Sequence, residues 1–324
     1  MHKIYKISAA IILMVFFVYS CDAPRENPLD PYNNQSRLNE ITGTVKTESF
    51  PIEPIPNALL IWRNTGESKF SNSDGNFKFN LYKKNNGYLV CTKTNYYPDS
   101  VFIDWTKHEP VSANFYLNQI PSLESFHIMS YVFYSNDSTY NQTINVNARI
   151  SDRDKDIDSV FLINNNYNFS SNLNYNPSNQ IWQKSFSSFE FGVSSFEEIV
   201  GKIFKLKIKE KNNHGCEMNA GSLIRVMVTQ PHLISPRADE IIQIPYVFTW
   251  EKFPAEYNFS YQIQIYRNEI PTQLAFDLKG ISQDSTSYNL EASLQQGNYY
   301  WMLYVIDEYG NKVRSKPVSF KIQN

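Results

Sequence analysis

Residues that supply catalytic or metal-binding chemistry are scarce in this sequence. Its 324 residues include 5 histidines, scattered singly, and 3 cysteines, Cys21, Cys91 and Cys216. The cysteine spacing matches neither a disulfide framework nor a Cys-x-x-Cys metal site. The chain also lacks a His-x-x-x-His pair and a Gly-x-Ser-x-Gly nucleophile elbow. We therefore expect a protein that is not an enzyme and that uses no cofactor.

An excess of charge of one sign is missing as well. The chain has 30 Lys and Arg against 32 Asp and Glu, a formal net charge of -2. Such a balance produces no large basic field that would concentrate nucleic acid near the protein. Nucleic acid is therefore not an expected partner.

The apolar segment at the N-terminus is too short to cross a bilayer. Residues 7–18 form an apolar run of 12 residues, whereas a membrane-spanning helix needs roughly 20. Lys3 and Lys6 precede the run, and a polar segment follows it. This layout is typical of a secretory signal, so residues 1–20 are predicted to be a signal peptide.

The end of this segment resembles a lipoprotein cleavage box. Residues 18–21 read Val-Tyr-Ser-Cys, with Tyr19 in place of the usual small residue, and residues 27–31 read Asn-Pro-Leu-Asp-Pro. Both are similar to lipoproteins of the Bacteroidetes and related phyla. The resemblance implies lipidation of Cys21 and a flexible tether over residues 21–39. It also implies a bacterial cell-envelope protein anchored by lipid, at the outer membrane.

The rest of the chain is rich in residues that favour strands. Aromatic residues make up 15% of the sequence, with 22 Tyr and 22 Phe, and such side chains suit half-buried pleated surfaces. Short apolar runs alternate with turn clusters, as is typical of all-β domains. We predict an all-β fold of three consecutive immunoglobulin-like or prealbumin-like β-sandwiches, at residues 40–118, 119–230 and 231–324.

Ordered motifs in residues 40–118 carry a family resemblance. They are Gly-Thr-Val at 43–45, Ile-Pro-Asn-Ala at 55–58, Asp-Gly-Asn-Phe at 74–77, Gly-Tyr at 87–88 and Asn-Tyr-Tyr-Pro at 95–98. This series resembles the carboxypeptidase regulatory-like, or transthyretin-like, domain, with Asn95 in place of a glycine. The resemblance implies a seven-stranded sandwich without catalytic residues. The Asp74-Gly75 pair before an alternating strand also predicts a hairpin turn.

The C-terminal segment, residues 231–324, resembles bacterial fibronectin type III-like domains. Residues 247–250 supply a strand that ends in Trp250, and residues 294–301 match the turn and tyrosine-corner strand of that family. The resemblance implies a Tyr hydroxyl that bonds to upstream backbone. Arg314 departs from the family's Trp before the last strand.

The middle segment, residues 119–230, is predicted to be an immunoglobulin-like sandwich. Apolar residues alternate with polar ones over 144–150 and again over 204–208. This pattern indicates half-buried strands with one solvent-exposed face. Residues 212–215, Asn-Asn-His-Gly, predict a hairpin turn, and residues 197–203 are expected to include one helical turn.

An acidic run in the middle segment offers a possible calcium site. Asp152, Asp154, Asp156 and Asp158 alternate with other residues, and carboxylates are the oxygen ligands that Ca²⁺ prefers. However, the cations of residues 153 and 155 interleave with them, and the glycine of an EF-hand loop is missing. Aspartates also cap turns. We favour a turn over a metal site and keep calcium as the weaker alternative.

Aromatic residues of the first sandwich offer a possible glycan platform. Trp62, Tyr96, Tyr97 and Trp105 could stack on sugar rings, although core packing explains the same residues.

Two functional classes therefore remain open. The first is a non-catalytic, membrane-anchored surface lipoprotein that serves protein interaction, adhesion or display, with residues 64–72 and 266–272 as contact loops. The second is a glycan-binding accessory lipoprotein that uses exposed aromatics of the first sandwich. Expected partners are the membrane, through the lipid anchor, and a protein or a polysaccharide. Aromatics clustered on one exposed face would favour the second class, and buried aromatics the first.

Overall fold

The computed structural model describes residues 39–81, 83–106 and 111–323. The predicted signal peptide, Cys21 and the tether lie outside the described residues, except for Asn39. The described chain is almost entirely strand and turn, so the predicted all-β class is confirmed. It forms two compact units that divide after Gln119; we call them the first and second units. The predicted boundary between residues 118 and 119 lies one residue from this division.

The first unit contains the strands from β1 to β8. Their bounds are β1 (Asn39–Thr47), β2 (Leu59–Trp62), β3 (Ser68–Phe70), β4 (Asn76–Leu81), β5 (Gly87–Thr92), β6 (Asp99–Ile103), β7 (Val111–Ser112) and β8 (Phe115–Leu117).

These strands make a two-layer sandwich. One sheet has the order β4-β1-β7, with β8 also paired to β1, and the other has the order β3-β2-β5-β6. Alternate residues of each strand enter the space between the sheets, as the period of two in a strand requires. The core formed there includes Ile41, Phe79, Leu60, Trp62 and Phe115, all at most 1% exposed.

The last strand of the sandwich is interrupted. β7 and β8 both run parallel to β1, and Ala113 and Asn114 separate them. At the interruption, the backbone of Ala113 closes on Gly43 of β1, where a Cβ atom would lie 1.7 Å from the Ala113 carbonyl oxygen. A glycine at position 43 is therefore required by the close approach of two backbones.

The predicted hairpin at Asp74-Gly75 is wrong, because the strands before and after the turn belong to different sheets. The turn is present, with Gly75 at a φ of +72°, and the Asn72 side chain accepts hydrogen bonds from the backbone N–H of Asp74 and Asn76. However, the strand before it, β3, belongs to one sheet, and the strand after it, β4, belongs to the other. The turn therefore links the two layers instead of closing a hairpin.

The second unit contains the strands from β9 to β25 and one short α-helix. The strands of the middle segment are β9 (Ser122–Tyr134), β10 (Tyr140–Ser151), β11 (Ile157–Asn164), β12 (Phe169–Asn172), β13 (Asn174–Asn176), β14 (Ile181–Ser187), β15 (Ile203–Glu210) and β16 (Gly215–Ser222). The C-terminal segment has β17 (Leu233–Ser235), β18 (Glu240–Ile242), β19 (Tyr246–Trp250), β20 (Phe259–Arg267), β21 (Gln273–Ser282), β22 (Ser287–Leu290), β23 (Gly297–Asp307), β24 (Lys312–Arg314) and β25 (Val318–Ile322). Helix α1 is Ser188–Phe191, and single 3₁₀ turns span Asn165–Tyr167 and Phe196–Ile199.

A single ten-stranded sheet runs through the second unit. Its main order is β13-β14-β10-β9-β24-β23-β20-β21, and β25 and β18 extend it beside β23. Two smaller sheets, β12-β11-β15-β16 and β17-β19-β22, complete the two sandwiches. The middle and C-terminal segments thus share a sheet, because β24 pairs in parallel with β9 over Lys312–Arg314 and Tyr131–Phe133. The predicted boundary at residues 230 and 231 lies inside this compact unit.

The middle sandwich follows the predicted alternation. Ile144, Val146 and Ala148 of β10 are fully buried, and so are Phe204, Leu206 and Ile208 of β15. The predicted turn at residues 212–215 joins β15 to β16 in an antiparallel pair. The expected helical turn is the 3₁₀ turn Phe196–Ile199, which ends before the strand that starts at Ile203.

The C-terminal sandwich has the predicted tryptophan and tyrosine features. Trp250 is 1% exposed, and Trp301 is fully buried in the same core. The hydroxyl of Tyr299 donates to the backbone carbonyl of Gln295 at 2.8 Å. This bond ties the start of β23 to the turn before it, as a tyrosine corner does.

Removing this hydroxyl is expected to lower stability modestly. We expect Tyr299→Phe to reduce the free energy of unfolding by about 1 kcal/mol, the net value of one intramolecular hydrogen bond. Thermal or urea unfolding would measure the change. Tyr300→Phe, at the next position of the same strand, is the matched control and should have little effect. Equal losses in the two variants would contradict the assignment of the corner to Tyr299.

A buried polar cluster fastens β9 to the turn between β23 and β24. The Asp307 carboxylate is fully buried and accepts from Arg225 at 2.8 Å and from the backbone N–H of Tyr309 and Asn311 at 3.0 and 2.9 Å. The Asn311 side chain in turn accepts from the backbone N–H of Ser130 at 2.9 Å. We call Ser130, Arg225, Asp307 and Asn311 the clamp. Because buried polar groups must be paired, the clamp specifies how the two sandwiches join.

Candidate functional site

Two of the four aromatic residues predicted to form a glycan platform are buried in the core of the first sandwich. Trp62 is 1% exposed and Trp105 is 9% exposed, and both pack in the core of the first sandwich. Tyr96 is half-buried against the same core, and Tyr97 is half-buried as well. A buried indole cannot stack on a sugar ring, so Trp62 and Trp105 are corrected to core packing.

The same sandwich carries a different set of apolar residues on its outside. Cross-strand pairs in the sheet β3-β2-β5-β6 match Leu59 with Phe70, Ile61 with Val90, and Tyr88 with Phe102. Residues that pair directly lie on one side of a sheet, and these lie opposite to the core residues Leu60, Trp62, Leu89 and Cys91. We call this set of six the apolar face: Leu59, Ile61, Phe70, Tyr88, Val90 and Phe102.

Much of the apolar face is exposed. Phe70, Tyr88 and Phe102 are 64%, 46% and 52% exposed, and the three aliphatic side chains between them are half-buried. The rings of Tyr88 and Phe102 meet edge to face, with centroids 5.1 Å apart. Such a contiguous apolar surface is the usual mark of an interaction site on a soluble domain.

The apolar face contains no charged side chain. The outward positions of the four strands are Leu59, Ile61, Ser68, Phe70, Tyr88, Val90, Thr92, Ser100 and Phe102. Depletion of charge and enrichment in aromatics characterise the centres of protein–protein interfaces. The face has only small hydroxyl groups and one phenol with which to recognise a polar ligand.

One sequence signal pointed to this face and was missed. Residues 59–62 and 88–91 are unbroken apolar runs, Leu-Leu-Ile-Trp and Tyr-Leu-Val-Cys. Continuous apolar strands are typical of sheets covered on both faces. Phe70 lies in the segment 64–72 that was predicted to be a contact loop, but it belongs to the edge strand β3.

The second unit has a groove at one end of its middle sandwich. The groove has a volume of about 700 Å³, which lies within the range of small-ligand sites. The ends of β9 and β10, the loop that follows β10, the start of β11 and the hairpin β13–β14 surround it. We call it the end groove; its lining includes Glu124, Arg149, Lys155, Asp158, Tyr175 and Trp182.

The acidic run forms a capped turn beside this groove. The Asp152 carboxylate accepts from the backbone N–H groups of Asp154, Asp156 and Ile157 at 3.1, 2.9 and 3.3 Å. Burial raises the pKa of the Asp152 carboxyl, although these three bonds act in the opposite direction. The turn geometry favours the structural interpretation. In the described part of the chain, no three His, Cys, Asp or Glu side chains are grouped as metal ligands, and the expected absence of calcium stays a prediction.

Cys91 and Cys216 lie in different compact units. Cys91 is fully buried, and Cys216 is half-buried in the other unit. Burial, with a smaller contribution from Asp99, raises the pKa of the Cys91 thiol to about 12. Since the thiolate is the reactive form, Cys91 is a packing residue at neutral pH.

A second aromatic surface lies on the outside of the ten-stranded sheet, and its rings cover one another. Tyr131 stacks on Tyr304 with centroids 6.3 Å apart, and the Lys312 amine lies 4.4 Å from the Tyr131 centroid. Burial lowers the pKa of Lys312 and raises the pKa of Tyr304. Tyr304 is only 8% exposed. This packing leaves little ring surface for a ligand.

The helices of the described chain are too short to cross a membrane. Within residues 39–81, 83–106 and 111–323, none exceeds four residues.

Comparison with known proteins finds similarity at low levels. Neither a protein-family model nor a curated protein matches the chain. Fibronectin(III)-like modules of Clostridium thermocellum CbhA are 12% identical, cover 63% of this chain and 93% of their own, and superpose with a TM-score of 0.30. The major pilin subunit BcpA of Bacillus cereus is 12% identical, with 88% and 96% covered and a TM-score of 0.27. The FN1–FN3 domains of chicken CNTN1 are 9% identical, with 89% and 96% covered and a TM-score of 0.32. These TM-scores are low, and the sandwiches are defined by this chain's own strands and cores.

Proposed function

We propose that this chain is a non-catalytic lipoprotein of a bacterial cell envelope that binds another protein through the apolar face of its first sandwich. The apolar face is the observation that carries the proposal. Its outward positions are apolar or small, and its strands have the composition of strands covered on both sides. A protein surface with complementary apolar side chains is the occupant that such a face fits.

The composition of the face favours a protein over a glycan. Three aromatic rings do lie on one exposed side of the first sandwich, the arrangement that would favour glycan binding. However, half of the face is aliphatic, and it presents no carboxylate, amide or cation. A sugar bound there would leave most of its hydroxyl groups without partners, and buried unpaired polar groups are costly.

Anchoring is the second part of the proposal. Acylation of Cys21 would hold the mature chain at a membrane, since each buried methylene contributes about 0.8 kcal/mol and two or more chains anchor stably. The sandwiches would then present the apolar face to a partner at that surface. The absence of a positioned nucleophile and base in the sequence motifs supports binding without catalysis.

Photo-crosslinking in native membranes tests the proposal. A benzophenone amino acid would replace Tyr88 or Phe102 in the full-length chain, with Tyr116 as the control position. Tyr116 is similarly exposed, at 49%, but lies on β8 in the other sheet. We expect one discrete crosslinked partner protein from positions 88 and 102 and not from 116. Equal yields at all three positions, or crosslinks only to lipid or to a second copy, would contradict the proposal.

A further inference from the structure

The end groove of the middle sandwich combines an aromatic wall with a polar rim. Tyr175 and Trp182 pair across the β13–β14 hairpin, with ring centroids 5.1 Å apart at an angle of 48°. Tyr175 is 51% exposed, and Trp182 is half-buried at the edge of the core. Tyr175 therefore fills no core space, and its exposed ring lines the groove together with Trp182.

The floor and rim of the groove differ in chemistry. Ile150 and Ile157 belong to the lining and also pack against the core. The rim carries two carboxylates and an amide, from Glu124, Asp158 and Gln180. Carboxylates accept hydrogen bonds from hydroxyl groups, and an amide both donates and accepts. A concave site with apolar walls and a few convergent polar groups is the usual form of a small-ligand site.

Fixed backbone holds the groove in shape. The turn beyond β10 is held by the three hydrogen bonds to Asp152. At the turn between β13 and β14, the Arg149 guanidinium donates to the backbone carbonyl of Asn179 at 3.0 Å. Lys155 and Gln180 have positive φ values of 55° and 57°, which are uncommon for such side chains. Both walls are therefore positioned before any ligand arrives, and this reduces the entropy lost on binding.

The charges of the lining nearly cancel. Glu124, Asp152 and Asp158 are acidic, and Arg149 and Lys155 are basic. Such a lining does not select a strongly anionic or cationic ligand, in contrast to a cluster of one sign. A neutral ligand with an apolar face and many hydroxyl groups matches the aromatic wall and the polar rim together.

We propose that the end groove binds a neutral oligosaccharide, with a pyranose ring against Tyr175 and Trp182 and its hydroxyl groups bonded to Asp158, Glu124 and Gln180. Sugar rings have apolar C–H faces that pack on aromatic rings and hydroxyl groups that both donate and accept. This site is independent of the protein-binding apolar face, which belongs to the other compact unit. Glycan recognition is thereby assigned to residues different from Trp62, Tyr96, Tyr97 and Trp105.

Calorimetric titration of the full-length chain in a sugar-free detergent tests this site. The probes are maltohexaose, cellohexaose, xylohexaose and mannohexaose, which are all uncharged. We expect at least one of them to bind saturably, with a dissociation constant below about 10 mM, equivalent to more than about 2.7 kcal/mol. The Tyr175→Ala variant should bind that sugar about tenfold more weakly or not at all, as should Asp158→Asn.

Matched variants keep the test decisive. Phe189→Ala removes a ring that is 90% exposed elsewhere in the same unit and should leave the affinity unchanged. Tyr175 is half exposed, so its replacement should not prevent folding, and thermal melting would verify this. The inference would be overturned if none of the four sugars bound, or if Tyr175→Ala bound as tightly as the parent chain. Loss of binding in Phe189→Ala to the same extent would also overturn it. None of these results would affect crosslinking from Tyr88 and Phe102.

Discussion

Replacing Asp307 with alanine is expected to reduce the free energy of unfolding of the second unit by about 3 kcal/mol. The Asp307 carboxylate is fully buried and pairs with Arg225, whose side chain is 25% exposed. Its removal leaves the Arg225 cation without this partner and leaves the backbone N–H groups of Tyr309 and Asn311 without their acceptor. Removing one partner of a buried pair costs about 3–5 kcal/mol. We expect a cost at the lower end of this range because the Arg225 side chain retains contact with water.

Hydrogen exchange at increasing urea concentrations would measure this effect within the full-length chain. Peptides from β9 and β23 should lose protection together, because the clamp joins both strands. The matched control is Asp284→Ala, which breaks the exposed pair Lys252–Asp284, with exposed fractions of 64% and 76%. Exposed pairs contribute about 0–1 kcal/mol. If the two variants lost the same stability, the clamp would not have the role described above.

Gly43→Ala is expected to destabilise the first unit by about 3 kcal/mol or more, the upper range for overpacking. The added Cβ would lie 1.7 Å from the carbonyl oxygen of Ala113 and 2.8 Å from the Phe77 ring. The nearest atom belongs to backbone, which cannot rotate away as a side chain can. Relief of the clash requires β7 to move from β1 and weakens the bond from the Ala113 N–H to the Thr42 carbonyl, now 2.9 Å.

A second glycine separates this steric effect from the general cost of replacing glycine. Gly66 has a φ of +76° and no atom within 4 Å of an added Cβ. Gly66→Ala should therefore cost only about 1–2 kcal/mol, the penalty of left-handed backbone. Thermal unfolding of both variants, with hydrogen exchange of β1, would compare them. A Gly43→Ala protein as stable as Gly66→Ala would show that the close approach is not required.

Local patterns predicted much of the fold, because the signals that they carry act within a few residues. The alternation at residues 144–150 predicted which side of β10 is buried, and Tyr299 closes a corner only four residues from its acceptor, Gln295. The turn at residues 212–215 depends likewise on its own backbone. In each of these cases, the residues that form the sequence pattern are also the residues that form the strand, bond or turn.

Such local patterns could not predict which distant strands pair with one another. Nothing near Lys312–Arg314 specifies a parallel partner at Tyr131–Phe133, which lies some 180 residues earlier. The Asp74-Gly75 pair predicted a turn correctly, but whether its flanking strands share a sheet depends on the whole sandwich. Strand order is a property of packing between distant segments.

The candidate sites were less predictable than the fold for a related reason. In an unbroken apolar run such as residues 59–62, no polar residue indicates which side faces the core. Trp62 was therefore interpreted as a possible surface aromatic although it is buried, and Ile61 was not singled out although it lies on the apolar face. The end groove depends on three separate segments of the chain that meet only in the folded sandwich.

The parallel ladder between β24 and β9 also affects how this protein could be rearranged in evolution. Domains joined by linkers can be exchanged as units, because a cut in the linker leaves no strand without its hydrogen-bonded neighbour. A recombination event near residue 230 would separate two paired strands and leave bare edges on both products, including the Tyr-Val-Phe stretch at residues 131–133. Bare, apolar edges promote association with other chains. The two sandwiches of the second unit would therefore be expected to be inherited together, as a single genetic block.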